Sequence, residues 1–402
     1  MRDKFPRLIF FFLGLFVLVL RGFATPGEVL SLEFEYTYSK QEIRDMLVPL
    51  YGNHGLPDIL YEVDVYRVFF ESRYPDGTPA RAFGQFFLPR LPTSGNSVHQ
   101  NPLSLYVFAP GSTGLLDNCR PSREHEAGIR WGLYRAHVMS HAAAGSLGML
   151  PDYLGFHDPE RHQYYMVARA EAAVLLDSIR AVHSVGEMLG YTHFHDSRNF
   201  LGGFSQGGHA VLAAADFQPL YAPELELHGV IGYGATPDPE ALMLEFPSVA
   251  PMMIYTYSEL YGVDLVDPGE ILMPEFGEFL EDDVLSQCVG GMQAYYPDNP
   301  KYLYHPEFHK ALLDDALEER FPGLAWVLAQ NTTGFRAQNV DILLLQGSDD
   351  VVVFPETQQS YVQELQNRGL QVEYILFPDE RHDTRQVGYD LVRLWIEQRI
   401  SN

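Results

Sequence analysis

Three side chains have the types and the order for nucleophilic catalysis. Ser205 is the centre of Gly203-Phe204-Ser205-Gln206-Gly207, a G-x-S-x-G pentapeptide. A strand-like apolar run (Phe200, Leu201) enters it and a helix-forming run (Ala210 to Ala215) leaves it. In that context the pentapeptide makes a nucleophile elbow, a strained turn that holds the serine oxygen at the top of a sheet. Its outer glycines are needed because a Cβ there would collide with the neighbouring strand or helix. A serine hydroxyl is a weak nucleophile and requires a base, with a further group to orient that base. The loop after the run Val340–Gln346 offers Asp349 and Asp350, and the loop after the final strand offers His382. The spacing Gly347-x-x-Asp350-x-x-Val353 favours Asp350 over its neighbour. In this arrangement Asp350 holds Nδ1–H of His382, and Nε2 takes the Ser205 proton and later gives it to a leaving group, which is acyl-transfer chemistry. Taken alone, His382 is one polar-loop histidine among 15. Its place after the last strand is what assigns it the role.

The oxyanion of such a reaction needs two backbone donors. The Gln206 N–H is the first. Two turns compete for the second, Gly111–Gly114 with Ser112 and Pro151–Gly155 with Asp152. No metal or other cofactor is expected: His193-Phe194-His195 has no third or fourth ligand at metal spacing, and a C-x-x-C pair is absent.

The elements that must position these groups are legible in order. Ser39-Lys40-Gln41-Glu42 is a capping box opening a helix to about Tyr51. Tyr61–Val68 and Arg81–Leu88 alternate around the turn signal Pro75-Asp76-Gly77, which predicts an antiparallel hairpin. Leu103–Ala109 is a short apolar strand. A helix around Ile129 to Ala144, a strand ending at Gly148–Gly155 and a helix over Tyr165–Leu189 precede the elbow. His228–Gly234 is a further buried strand. Strand–helix alternation stops there and resumes at Val340–Gln346. A helix to Arg368, a strand Gln371–Phe377 and a C-terminal helix complete the chain. The pattern predicts an α/β fold with a mostly parallel central sheet and an N-terminal antiparallel hairpin. The core is 25–236 with 337–402, and the interval 237–336 is an insertion.

Composition narrows the function further. With 27 Lys+Arg against 53 Asp+Glu, the net charge of −26 excludes a nucleic-acid-binding role and disfavours anionic lipid headgroups. Residues 1–24 have the layout of a signal peptide: Arg2, Lys4 and Arg7, then the apolar run Leu8–Leu20, then Gly22-Phe23-Ala24 before Thr25. The apolar run is too short to span a bilayer comfortably, so no membrane span is expected after cleavage and the product is secreted or periplasmic. Cleavage would leave a charge of −29. In an oxidising compartment Cys119 and Cys288 either bridge or remain two buried thiols. Asn331-Thr332-Thr333 is a glycosylation sequon if the source is eukaryotic.

Pro151-Asp152-Tyr153-Leu154-Gly155-Phe156, the helix pattern Glu171-Ala-Ala…Asp177-Ser-Ile-Arg-Ala181 and Gly202–Ala210 together resemble the secreted lipase/esterase branch of the α/β-hydrolases. The likeness runs from about Leu103 to the C-terminus. It implies an α/β-hydrolase fold, a serine enzyme acting on small-molecule or lipid esters, and a helical lid inserted at 237–336. It also implies an oxyanion donor near Asp152. Two positions depart from the family pattern: Pro110-Gly111 replaces His-Gly, and Arg381-His382-Asp383 replaces Gly-His-Gly. The insertion holds 18 acidic and three basic residues between Pro237 and Arg320, with many aromatics and methionines. A cap with an apolar underside fits this, as does a subdomain whose aromatics fill only its own core. The acidic exterior favours soluble or neutral esters. A serine peptidase of the same fold and a non-catalytic binding protein are the rival readings.

Overall fold

The computed structural model describes residues 25–91, 103–191, 194 and 197–400. The expected signal peptide, His193 and His195 lie outside the described residues.

The strands are β1 (Val29–Tyr38), β2 (Val63–Arg73), β3 (Pro79–Pro89), β4 (Ser104–Ala109), β5 (Leu147–Pro151), β6 (Leu154–His157), β7 (Arg198–Phe204), β8 (Leu227–Tyr233), β9 (Ile342–Gly347) and β10 (Val372–Phe377). Nine of them form one sheet in the order β1-β2-β3-β5-β4-β7-β8-β9-β10. The β2/β3 hairpin is antiparallel as the sequence predicts, and β5 pairs antiparallel with β3. From β5 to β10 every pairing is parallel. This is the α/β-hydrolase fold. An edge strand, β1, joins β2 antiparallel and was not expected. Its Leu30, Leu32, Phe34 and Tyr36 alternate with other residues, a period-2 signal sufficient to identify it.

Both sheet faces are covered, and the parallel strands are apolar on both sides for that reason. Leu105 and Val107 of β4 and Ile342 and Leu344 of β9 enter one buried cluster. Tyr106, Phe108, Leu343 and Leu345, one step out of phase, enter the other. Helices Ala168–Leu189, Gln206–Tyr221 and Pro355–Asn367 cover the first face. Helices Lys40–Tyr51, Tyr134–Ala143 and Tyr389–Ile400 cover the second. The capping box at Ser39 forms: its hydroxyl accepts the Glu42 N–H and the Glu42 carboxylate accepts the Ser39 N–H.

Residues 237–336 form a succession of short helices without a strand of the sheet among the described residues. Their starts are written in the sequence. Asp238-Pro239, Asp267-Pro268 and Asn299-Pro300 each place a capping side chain before a proline at the first helical position, and each side chain accepts a backbone N–H of the turn it opens. Met252, Met253 and Tyr257 are buried in the same cluster as the sheet residues Val107 and Val230, and the Tyr257 hydroxyl donates to the Met166 carbonyl. The apolar side of the insertion is thus continuous with the core, while Glu275, Glu278, Glu281 and Asp282 face solvent. Cys119 and Cys288 are joined as a disulfide, with Cα atoms 5.5 Å apart, linking the segment after β4 to the insertion. The sequon reading of Asn331 is overturned. The residue is 1% exposed, its Oδ1 accepts the Ala168 N–H, and its Nδ2 donates to the Val327 carbonyl, so no glycan can reach it.

Candidate active site

Ser205 lies between β7 and the Gln206–Tyr221 helix with φ 55° and ψ −117°. A non-glycine residue at positive φ is held there at a conformational cost, as an elbow requires. Its N–H donates to the Tyr233 carbonyl at the end of β8. The two flanking glycines have no room for a side chain. A Cβ on Gly203 would sit 2.0 Å from the Gly207 carbonyl oxygen, and one on Gly207 would sit 1.9 Å from that of Ala109.

Asp350 follows β9 and is buried. Its Oδ1 accepts the N–H groups of Val352 and Val353 at 2.8 and 3.1 Å. Its Oδ2 accepts from Gln346 Nε2 at 2.8 Å and from His382 Nδ1 at 2.9 Å. Asp349 points outward to Ser348 and is exposed. The carboxylate can only accept, so Nδ1 carries the proton and Nε2 presents a lone pair. Nε2 is buried and without a hydrogen-bond partner among the described residues, and so is not bonded to the Ser205 hydroxyl. The imidazole nevertheless packs beside the elbow. Its ring centroid is 5.0 Å from that of Phe204, and a Cβ on Gly234 would meet His382 Nδ1 at 2.8 Å.

Two residues that sequence reasoning missed hold this arrangement. Gln346, the penultimate residue of β9, is fully buried and also donates to the Val353 carbonyl, closing the Asp350 loop. Arg385 is fully buried, donates to Asp383 and to the Gly132 carbonyl, and lies 4.7 Å from the Phe204 ring centroid. Burial pushes the Asp383 carboxyl up, yet the Arg385 guanidinium and its hydrogen bonds outweigh that and hold it below the usual carboxylate range. The Asp383 that departs from the family pattern is therefore half of a part-buried ion pair next to His382 in the chain. Its charge is visible in the sequence, but its partner two residues on reads as an ordinary loop arginine.

The oxyanion candidates separate. Gln206 is the first residue of its helix, so its N–H has no acceptor within that helix. The Gly111–Gly114 loop borders the elbow: a Cβ on Gly111 would meet the Phe204 ring at 2.9 Å, and Ser112 Oγ is 2.8 Å from the Tyr165 hydroxyl. Asp152 is engaged in other bonds. Its N–H is already donated to the Phe83 carbonyl. Its carboxylate accepts from Ser122 N–H, Ser122 Oγ and His157 Nε2 at 2.6–2.8 Å. Asp152 is thus a clamp between loops.

Residues 128–242, which include the elbow, match the secretory lipase family model, and residues 292–398, which include Asp350 and His382, match the prolyl oligopeptidase family model. No curated protein sequence is a significant match. Among solved structures, the rice cell wall degrading esterase LipA from Xanthomonas oryzae superposes over 93% of this chain and 99% of its own, with a TM-score of 0.73 and 20% identity. Candida antarctica lipase A in its closed state superposes over 94% of this chain and 83% of its own, with a TM-score of 0.64 and 17% identity. The fold is thus that of the α/β-hydrolases, and the segment carrying the elbow is similar to secretory lipases.

Proposed function

We propose that this chain is an exported serine hydrolase that cleaves carboxylic esters through an acyl-enzyme on Ser205. Ser205 Oγ attacks the ester carbonyl carbon as His382 Nε2 takes its proton. Asp350 keeps the ring in the required tautomer and stabilises the imidazolium. The carbonyl oxygen, now negative, is held by the N–H groups of Gln206 and Ser112. Collapse expels the alcohol, which receives the proton from Nε2. Water then repeats the sequence in reverse roles and frees the acid. The observation that carries this reading is the Asp350–His382 pair, with an unpartnered Nε2, packed against the residue before a strained serine. Catalytic hydrogen bonds are often long before substrate binds, so the open Nε2 is compatible with it.

The insertion at 237–336 serves as the lid, and its acidic outer face directs the enzyme to soluble or neutral esters. The prolyl oligopeptidase match favours a second reading, a peptidase of the same fold. That match covers the Asp350 and His382 segment, whereas the secretory lipase match covers the nucleophile. A panel of acyl esters of graded length and a dipeptide amide, run on wild type and Ser205→Ala, distinguishes them. Ester turnover lost in Ser205→Ala is expected. Amide turnover above ester turnover would replace the esterase with the peptidase, and a Ser205 that no fluorophosphonate labels would leave a binding protein.

A further inference from the structure

Behind the elbow lies a buried polar chain that the proposed reaction does not use. His209, the fourth residue of the nucleophile helix, is fully buried, and Glu171 is 1% exposed. His209 Nδ1 is 2.5 Å from Glu171 Oε2, and Nε2 is 2.6 Å from the Asn331 backbone carbonyl oxygen. The Asn331 carbonyl can only accept, so Nε2 carries a proton. Nδ1 faces the Glu171 carboxylate, so a proton lies between ring and acid. A buried carboxylate without such a partner would be costly. The other Glu171 oxygen accepts from Gln206 Nε2 at 2.7 Å. Asn331 is the last residue of the Pro322–Asn331 helix, where carbonyls lack intrahelical partners and a positive group is favoured.

We propose that His209 is a positioning residue of the Ser205 site. Through Glu171 it holds Gln206, whose backbone N–H receives the oxyanion, and through the Asn331 carbonyl it ties that donor to the end of the insertion. The inference rests on the Ser205 reading above. A donor aimed at developing charge works only when its support is locked, and these three bonds lock the residue that carries it. The Asn331 side chain adds a second tie, accepting the Ala168 N–H at the start of the helix that bears Glu171. The seating of the insertion and the aim of the oxyanion donor are therefore mechanically linked.

The test compares His209→Gln and the isosteric Glu171→Gln in the full chain. kcat and KM for p-nitrophenyl acetate are measured per Ser205 titrated with fluorophosphonate, together with Ki for phenylboronic acid, whose tetrahedral adduct places an oxygen in the hole. A fall in kcat per site of about tenfold or more, KM within about twofold and a parallel rise in Ki are expected. Unchanged kcat per site and Ki in a folded variant would overturn the role, as would a change confined to KM. Failure of both variants to fold would assign the pair to stability alone and equally overturn it. Ester turnover that survives Ser205→Ala would instead sink the underlying reading, whatever His209 does.

Discussion

Each oxygen of Asp350 is used twice, Oδ1 by two N–H groups of its own loop and Oδ2 by Gln346 and His382, so the carboxylate has one orientation available. Asp349, one residue away, faces solvent. The two aspartates should therefore behave very differently. Asp350→Asn keeps the shape but offers an amide where His382 needs an acceptor, and a fall in kcat of about 10³–10⁴ is expected. Asp349→Asn should leave kcat within about twofold. Steady-state kinetics on one soluble ester checks both, and a larger loss at 349 would reverse the assignment. Arg385 belongs to the same scale. Its guanidinium lies against the Phe204 ring, and its partner Asp383 follows His382 in the chain.

At the scale of elements, the insertion is held by more than its two ends. The Cys119–Cys288 bridge joins it to the segment after β4, and the Val289 N–H donates to the Thr113 carbonyl beside Ser112. Any movement of the insertion must work around this anchor. Closing a loop of 169 residues stabilises by about 5 kcal/mol in the chain-entropy model, with measured bridges commonly giving about 2–4 kcal/mol. Cys119→Ser with Cys288→Ser should lower the urea midpoint accordingly and also lower kcat, because Ser112 lies next to the lost anchor. A stability loss with unchanged kcat would separate the insertion from the oxyanion loop.

The first insertion helix, Pro239–Glu245, carries a pH response. Burial, aided by Asp238, Asp315 and Glu318, pushes the Glu240 carboxyl from its ordinary 4.5 up to about 7. Between those values the folded protein binds more protons at this site than the unfolded chain, so its contribution to stability falls as pH rises. Partial exposure keeps the effect small. Glu240→Gln should match wild type in Tm near pH 4 and exceed it at pH 8. A variant less stable than wild type at pH 8 would contradict the shift.

Over the whole molecule, 53 acidic residues against 27 basic ones set a strongly negative field. Such a field repels anionic substrates over a Debye length of about 10 Å at 0.1 M salt. Turnover of an anionic ester at subsaturating concentration should rise with salt, whereas that of a neutral ester of similar size should barely change. Equal salt dependence for the two would remove charge as a determinant of substrate choice.

Periodicity and local backbone demands are written residue by residue, and this is why so much of the core can be read directly. The unbroken apolar runs Leu105–Ala109 and Ile342–Leu345 mark strands buried on both faces. The glycines at 203 and 207 mark a turn that admits no Cβ, and the succession Ser205, Asp350, His382 follows the strand ends. Helix starts in the insertion are equally local, in Asp-Pro and Asn-Pro pairs. What the sequence leaves open are choices made by residues far apart in the chain. Asp350 is distinguished from Asp349 by a β9 glutamine and by a histidine 32 residues on. The Asp152 N–H meets the Phe83 carbonyl, and Cys119 meets Cys288 across 169 residues. His209 meets an acid 38 residues before it and a carbonyl 122 residues after it. No short window contains both partners of such a contact. Only the packing of the sheet, the helices and the insertion against one another brings them within bonding distance, and that packing decides which polar groups are spent on structure and which remain free for chemistry.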